Sequence, residues 1–322
     1  MPKNIDLNYS KTLFIGMPAY NEERFIKYSI ESLQRQTNVN WVLFISDNNS
    51  TDSTSNICAT LAENDQRIVH FVQKENVGMR ANINFVYDEF INKTEYAYFM
   101  WAQSDDIWEP TFLETCISLL ESNENVGVSF TAMDNIDSFG EVIRQYPSFK
   151  RFADDNKFVN QINYLLEPEL LGKCNMFLGV YKRNIIKKIM TNSRFDKWYS
   201  DYVIAFGIVT LGGLAADDRV LYHKREDEFD DEERYPKPVI IMSLRNGVFP
   251  LKKLVPLYLY YTKHEENILK KIVIMLIMLL RIPRSLYSTM LKYLNFLKYS
   301  NRFKIVRYIF NLYGRIWLKK FS

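Results

Sequence analysis

The chain has few of the features that mark secreted or membrane-spanning proteins. Only three cysteines occur among its 322 residues (Cys58, Cys116 and Cys174), and no two of them form a CxxC pair. Residues 1–10 are polar and lack the apolar core of a secretory signal. We therefore expect reduced cysteines that serve packing in a cytoplasmic protein, without a disulfide framework.

Long hydrophobic runs and nucleotide-binding glycine motifs are also missing. The longest apolar run, Ile272–Leu280, has nine residues, whereas a helix needs about 20 to span a bilayer. No GxGxxG follows the first apolar run, which argues against a dinucleotide-dependent oxidoreductase. The chain shows neither internal repeats nor low-complexity segments.

Charge is unevenly distributed along the chain. The formal net charge is only +3, yet residues 251–322 carry 15 Lys/Arg against 2 Asp/Glu. Such a basic tail indicates an anionic surface as its partner. The length suits two domains, and the hydrophobic fraction of 47% is that of an ordinary globular protein.

Apolar runs alternate with amphipathic segments over the first 130 residues. This alternation predicts an α/β fold with a doubly wound, mostly parallel sheet. Beyond it we expect a strand and a flap within 134–170. The predicted strands begin near 11, 41, 68, 98, 126, 175 and 220, and the predicted helices cover 25–36, 53–61, 79–90, 112–120 and 185–190. We expect the first strand to end at Pro18 and the last two to cover 175–181 and 220–222.

The stretch Tyr98–Trp108 places two adjacent carboxylates at the end of an aromatic, apolar strand. Charges are seldom buried without a partner, and open α/β sheets bind ligands at the carboxyl ends of their strands. Asp105 and Asp106 therefore predict a Mg²⁺ or Mn²⁺ site, and with it a phosphate ligand. The alternative is a polar turn in which Asp106 caps the helix that starts near Pro110.

Four motifs follow four predicted strands in order: Met17–Glu22, Ile45–Thr54, Asn76–Asn82 and Gln103–Asp106. Together they resemble the family 2 glycosyltransferases with a GT-A fold, over residues 11–225. The resemblance implies an inverting enzyme that binds a nucleotide-diphosphate sugar. The implied donor-binding residues are Pro18, Tyr20, Glu22, Asp47, Asn76, Arg80, Gln103, Ser104 and Arg225.

Within this resemblance, Asp47 would read the base, and Asp105 through a metal would neutralise the diphosphate. Arg80 or Arg225 would add positive charge. The alternatives are that Asp47 is a turn residue capping the next helix and that Arg80 is a surface residue. Gln103 stands where the family usually has an acid, so we expect a weakly bound metal held mainly by Asp105.

An inverting transferase needs a general base for the acceptor hydroxyl, and the resemblance places it at Asp201. Here Ser200 precedes it where the family has a second acid, and a helix N-cap is the alternative role for Asp201. Trp198 and Tyr199 are candidates for stacking on an acceptor sugar, although aromatic residues more often serve packing. By the same resemblance His223 would face the metal; a polar strand end is the alternative for His223 and Arg225.

From 236 onwards the composition changes. We expect a catalytic domain at 1–235 and a helical region at 236–322. Basic amphipathic segments at 267–281, 286–298 and 303–317 are typical of helices that lie on anionic membranes. A helical bundle or a homodimer interface is the alternative, and the Leu/Ile content argues against a nucleic-acid partner.

Taken together, the sequence predicts a metal-dependent inverting glycosyltransferase that is peripheral on the inner face of the cell membrane. Its acceptor would be a hydroxyl of a lipid-linked saccharide in surface polysaccharide biosynthesis. The alternative is a degenerate family member that binds sugar nucleotides or scaffolds an assembly complex without catalysis. Gln103 and Ser200, which replace family acids, support that alternative.

Overall fold

The structure is a computed structural model that describes residues 11–167, 171–191, 194–195, 200–226, 257–263 and 265–280. The chain divides into two compact units, Met1–Phe229 and Asp230–Ser322. The predicted acceptor residues Trp198 and Tyr199 and the predicted helices at 286–298 and 303–317 lie outside the described residues.

The first unit consists of strands and helices in alternation, followed by a more irregular segment. Its strands are β1 (Leu13–Ala19), β2 (Trp41–Asp47), β3 (Ile68–Val72), β4 (Tyr98–Trp101), β5 (Ile107–Trp108), β6 (Val128–Ile136), β7 (Val142–Gln145), β8 (Val180–Lys182) and β9 (Leu214–Arg225). Its helices are α1 (Ile26–Gln34), α2 (Thr54–Asn64), α3 (Met79–Lys93), α4 (Phe112–Ser122), α5 (Lys157–Leu166), α6 (Arg183–Thr191) and α7 (Ser200–Gly207).

All nine strands belong to one sheet, in the order β3-β2-β1-β4-β8-β6-β9-β5, with β7 paired to β6. β1 is parallel to β2 and β4, and β6 is parallel to β9, whereas β8 runs antiparallel between β4 and β6. The predicted mostly parallel α/β sheet is therefore confirmed. We call the edge formed by the carboxyl ends of β1, β2, β3, β4, β6 and β9 the carboxyl rim; these strands end at Ala19, Asp47, Val72, Trp101, Ile136 and Arg225.

The central strands are buried on both faces, as expected for strands covered by helices. Phe14 and Phe99, on adjacent strands, stack with ring centroids 6.1 Å apart. On β1, Gly16 lets α3 approach closely, because a Cβ added there would lie 2.0 Å from Val86 Cγ1. A side chain at residue 16 would therefore force Val86 to move out of its present contact with β1.

Pro18 does not end β1 as predicted but lies inside it, paired with Ser46 of β2. The backbone of Gly16 bonds towards β4, where its carbonyl accepts from Ala102 N–H at 2.9 Å. Because residues two apart in a strand bond to the same side, Pro18 also faces the β4 side. β4 has already ended there, at Trp101, so the missing N–H leaves no strand partner unsatisfied.

Two later strand predictions need correction. Most of the strand predicted at 175–181 is a 3₁₀ helix, Lys173–Leu178. The Lys173 ammonium fixes this segment by donating to the carbonyls of Tyr164 and Glu167 at 2.7 and 2.8 Å. The strand predicted at 220–222 is the interior of the 12-residue β9.

In the second unit, residues 257–263 and 268–280 are helical. Among the described residues, no helix combines the length and apolarity needed to cross a bilayer. The helix at 268–280 instead exposes one row of large apolar side chains and buries Ile274 and Ile277. The exposed row consists of Ile268, Leu269, Ile272, Met275, Leu276, Leu279 and Leu280.

Candidate active site at the carboxyl rim

Asp47, the last residue of β2, is fully buried at the rim. Its Oδ1 accepts hydrogen bonds from Ser50 N–H at 2.9 Å and from Ser50 Oγ at 2.6 Å. Its Oδ2 has no hydrogen-bond partner among the described residues and lies 3.8 Å from His70 Nε2. Burial alone would raise the pKa of Asp47, but the His70 ring and the bonds from Ser50 outweigh it and lower the pKa. Asp47 is thus a turn residue whose Oδ1 is bonded by Ser50 and whose Oδ2 is buried beside His70.

The loops after β1 and β2 are joined to each other by hydrogen bonds. Asn21 adopts a left-handed backbone with φ of 53°, and its N–H donates to Ser50 Oγ at 3.0 Å. Thr51 N–H donates back to Asn21 Oδ1 at 2.9 Å. Beside them, Tyr20 is exposed and Glu22 is half-buried. This network fixes the two predicted donor-binding loops in one arrangement.

The loop after β3 is shaped by Asn76 and leads to an exposed arginine. Asn76 Oδ1 accepts from Asn48 Nδ2 and from Gly78 N–H, both at 2.8 Å. Arg80 follows in the first turn of α3, exposed and without a hydrogen-bond or ion-pair partner among the described residues. The guanidinium is therefore available to an anion at the rim, and its predicted role as a phosphate ligand stays a prediction.

The two carboxylates after β4 have different surroundings. Asp106 is buried; its Oδ1 accepts from Arg225 N–H at 2.8 Å, and its Oδ2 accepts from the Tyr222 hydroxyl. Burial and the neighbouring charge of Asp105 raise the pKa of Asp106 to about 8. Both oxygens of Asp106 thus anchor β9 rather than facing a cation or capping α4. Asp105 is half-buried, so it is the better candidate for a metal ligand.

Arg225 positions Asp105 rather than reaching outward. Its Nε donates to the backbone carbonyl of Asp105 at 3.0 Å, and its guanidinium also donates to the carbonyl of Asp137. The same group lies over the Phe25 ring, 4.4 Å from the centroid. This differs from the expected direct contact with a diphosphate, because the guanidinium is engaged inside the protein.

His223 is also engaged within the protein and does not face Asp105 as expected. Its Nδ1 lies 2.6 Å from Asp134 Oδ1, and its Nε2 lies 3.1 Å from Glu109 Oε1. Since both ring nitrogens have carboxylate partners, neither is left to coordinate a metal. The geometry assigns His223 to joining β9, β6 and the segment after β5.

Only a sparse protein ligand set is available to a cation. Gln103 is half-buried and Ser104 is buried after β4. Among the described residues, no group of three or more His, Cys, Asp or Glu side chains could hold a metal ion. Asp105 alone fits a hard divalent cation that takes its remaining ligands from phosphate oxygens and water.

Asp201 lies in the first turn of α7. Burial raises the pKa of its carboxyl, while hydrogen bonds from Tyr202 N–H and the Cys174 thiol and the charge of Lys224 partly offset this effect. The preceding Ser200, where the family has a second acid, is buried. A carboxylate whose pKa is raised by burial is a stronger base than an exposed carboxylate, which suits a residue that accepts a proton.

Lys224 is the residue that the sequence analysis missed. It is half-buried on β9, and its charge acts on both Asp106 and Asp201. In the structure Tyr222 reaches Asp106, and residue 224 points to the same face of the strand. The analysis assigned His223 and Arg225 instead, which point to the opposite face.

Comparison with known proteins shows the family of the chain. Residues 14–189 match the family described as Glycosyl transferase family 2. The dTDP-rhamnosyl transferase RfbG of Shigella flexneri is 29% identical over 180 residues, which is 55% of this chain and 58% of RfbG. The chain spans less than two thirds of the length of several curated relatives, for example 62% of an uncharacterized glycosyltransferase of Methanocaldococcus jannaschii.

Two solved structures share the fold. S. aureus TarS 1-349 in complex with UDP-GlcNAc superposes with a TM-score of 0.52 at 17% identity, covering 67% of this chain and 59% of TarS. The mannosyltransferase PcManGT from Pyrobaculum calidifontis, in complex with GDP-Man and Mn²⁺, gives 0.55 at 13% identity, covering 98% and 83%. The predicted GT-A fold is therefore confirmed.

Proposed function

Because the chain belongs to glycosyl transferase family 2, we propose that it moves a sugar from a nucleotide-diphosphate donor to a saccharide hydroxyl with inversion. The observation that carries this proposal is the chemistry of the carboxyl rim. The rim has Asp47, whose buried Oδ2 has no hydrogen-bond partner among the described residues, and a half-buried Asp105 after β4. Asp201, whose pKa is raised by burial, lies in α7 and is influenced by the charge of Lys224 on β9.

The donor half of the proposal rests on Asp47, Arg80 and Asp105. Asp47 Oδ2 would accept a hydrogen bond from the base edge, and the unpaired Arg80 would contact the diphosphate. Mn²⁺ or Mg²⁺ held by Asp105, when bound, would offset the negative charge of the diphosphate. The complexes of the two structural neighbours, with UDP-GlcNAc and with GDP-Man and Mn²⁺, support this class of ligand.

The transfer itself rests on Asp201. Its carboxylate would accept the proton of the acceptor hydroxyl while the hydroxyl oxygen attacks the anomeric carbon. The bond between that carbon and the phosphate oxygen breaks, and its electron pair leaves with the nucleoside diphosphate. Trp198 and Tyr199, just before α7 in sequence, remain the proposed acceptor residues.

We extend the proposal to a lipid-linked acceptor reached from the membrane surface. The exposed apolar residues of the helix at 268–280 span an arc of about 140° at 100° per residue, a width typical of a buried helix face. The surrounding tail is strongly basic, and helices of this composition bind anionic lipid interfaces. The chain would then act at the inner face of the cell membrane.

A panel of nucleotide sugars tests the donor assignment. UDP-, GDP- and dTDP-sugars are added to the full chain with Mn²⁺, with Mg²⁺ or with EDTA, and thermal stabilisation and slow donor hydrolysis are measured. We expect one donor to stabilise the chain and to be hydrolysed faster with metal. If no donor binds under any condition, the transferase proposal is wrong, and the alternative of a non-catalytic scaffold protein takes its place.

Vesicle sedimentation tests the membrane assignment. We expect the chain to bind vesicles containing phosphatidylglycerol and not vesicles of phosphatidylcholine alone, because the tail is cationic. Leu269→Glu with Leu276→Glu should reduce binding by about tenfold or more. Glu266→Gln serves as the control outside the apolar face. Equal binding of the double variant would contradict a membrane role for this face.

A further inference from the structure

β3 lies at the edge of the sheet and has an open side. Among the strands that the structure describes, it pairs with β2 alone. Leu43 N–H of β2 donates to the carbonyl of Arg67 at 2.9 Å, and Gln73 N–H donates to the last residue of β2 at 2.8 Å. The odd-numbered residues along β3 therefore bond to β2, and the N–H and C=O groups of His70 and Val72 point away from the sheet.

This edge lacks the features that usually prevent a free strand from pairing with another chain. β3 contains neither proline nor Lys, Arg, Asp or Glu, and its pairing with β2 has no bulge. Phe71 and Val72 point to opposite faces of the sheet and are 40% and 45% exposed. An apolar edge without such protection is suited to accept a further strand.

A row of stacked aromatic rings crosses the sheet and ends at this edge. The row consists of Phe99 of β4, Phe14 of β1, Phe44 of β2 and Phe71 of β3, with consecutive ring centroids 6.1, 5.8 and 6.2 Å apart. The planes of consecutive rings differ by 15°, 26° and 24°. Phe85 of α3 contacts the last ring, with centroids 5.1 Å apart. The Phe71 ring nevertheless stays 40% exposed, so one more ring at the edge would extend the row.

A second copy of the chain supplies that ring by symmetry. In an antiparallel pair of β3 strands centred on Phe71, His70 lies opposite Val72 of the second copy, and both use their outward backbone groups. The two Phe71 rings then meet in a non-hydrogen-bonded pair, where opposite side chains are closest. The same pairing places Arg67 opposite the exposed Glu75 of the second copy, so the opposite charges attract.

A shift of the centre by one residue removes these contacts. With His70 at the centre, Phe71 lies opposite Val69 and the two rings separate. Asp65 then lies opposite Glu75, and like charges in this arrangement are destabilising. A shift in the other direction also separates the rings, so the register centred on Phe71 fits the edge best.

We propose that two copies of the chain pair through their β3 strands and form a two-fold symmetric homodimer with one continuous sheet. The contact is isologous, since the same residues serve both copies. It uses residues of the first unit alone and so differs from a dimer formed through the C-terminal helices. It does not depend on the proposed transferase activity.

Analytical ultracentrifugation of the full chain tests the proposal. We expect the wild type to form dimers at concentrations up to about 100 μM, and Phe71→Lys to weaken the dimer by about tenfold or more. Phe71→Tyr, which keeps the ring, should associate as the wild type. Val72→Pro removes an outward N–H while the bonds to β2 remain, so it should also weaken the dimer about tenfold, whereas Val72→Thr should not.

Oxidative cross-linking tests the register. Opposite residues in a non-hydrogen-bonded antiparallel pair have Cα atoms about 4.5 Å apart, within the range of a disulfide. Phe71→Cys should therefore give cross-linked dimers. Lys74→Cys is the control, because residue 74 is also exposed but would lie about 20 Å from its copy. The wild type shows the background from the native cysteines.

Each contrary outcome overturns the proposal. A wild type that sediments as a monomer throughout the concentration range does so directly. A dimer that neither Phe71→Lys nor Val72→Pro weakens lies at another surface, and thermal unfolding of both variants shows that they are folded. If only one of them folds, that variant decides the result. Equal cross-linking of Phe71→Cys and Lys74→Cys contradicts the two-fold pairing at β3.

Discussion

The two halves of the carboxyl rim satisfy their polar groups in opposite ways. In the donor half, formed by the loops after β1, β2 and β3, short side chains such as Asn21, Ser50 and Asn76 hydrogen-bond one another and the backbone. In the acceptor half, formed by α7 and β9, burial raises the pKa of Asp201 and disfavours the charge of Lys224.

This contrast indicates that the donor half supplies a fixed binding shape and that the acceptor half supplies groups for the reaction. Loops that are joined to one another by hydrogen bonds hold one shape before a ligand arrives, which lowers the entropic cost of binding. Buried groups with perturbed pKa values are costly in stability and are typical of sites that transfer protons or stabilise charge. We therefore expect changes in the donor half to affect affinity and changes in the acceptor half to affect rate and pH dependence.

Loss of the proposed base should have the largest effect. Asp201→Asn keeps the shape of the side chain but cannot accept the acceptor proton. We expect the transfer rate to fall about 10²–10⁴-fold, the usual contribution of a general base, when sugar transfer is measured with the best donor of the panel.

A matched control uses a carboxylate away from the rim. Asp155 is exposed in the segment before α5, so Asp155→Asn should leave the transfer rate within about twofold of the wild type. Retained transfer by Asp201→Asn would remove this residue from the mechanism and break the division between the two halves.

The next effect is on stability, at the anchor between β9 and Asp106. Tyr222→Phe removes the hydroxyl that donates to the buried carboxyl, and leaving such a group unsatisfied costs about 1–3 kcal/mol. Tyr181→Phe is the matched control, since its buried hydroxyl donates to the neutral carbonyl of Phe177 at 2.7 Å. We expect a smaller loss for Tyr181→Phe in urea unfolding; equal losses would contradict the anchoring role of Asp106.

A smaller effect concerns pH. Burial raises the pKa of Asp201, so the folded state holds a proton that the unfolded chain has released above its ordinary value of about 3.9. Stability therefore falls as pH rises through the interval between that value and the raised pKa. Asp201→Asn should be more stable than the wild type at pH 7 and equal to it near pH 3.5. Parallel stability curves in chemical unfolding at each pH would contradict a buried, titrating Asp201.

Much of the donor half could be predicted from sequence because its signals are local. The strands before Asp47 and Asp105 are apolar runs, and the turns after them are rich in Asn, Ser and Asp. Each polar loop follows its strand directly, so parallel pairing brings Asp47 and Asp105 to one edge without further information. The alternative role of Asp47 as a turn residue has a counterpart in the bond from Ser50 N–H, whereas α2 begins later, at Thr54, with Ser53 at its N-cap.

The acceptor half could not be predicted as completely, because the pairing of β9 with β6 decides which side chains of β9 face the site. The pairing of β6 with β9 shifts register twice, between Thr131 and Met133. A shift of one residue turns every side chain to the other face. Sequence alone could therefore not decide between His223 and Lys224.

The donor affinities of Asp47→Ala and Asp201→Asn test the central claim most directly. Both are measured by titrating the best-bound nucleoside diphosphate into the full chain at pH 7 with Mn²⁺. The account predicts an affinity about tenfold or more weaker for Asp47→Ala, which loses the proposed acceptor Oδ2, and a wild-type affinity for Asp201→Asn. The opposite pattern, with Asp201→Asn weakened and Asp47→Ala unchanged, would contradict the division of the rim into a donor half and a chemical half.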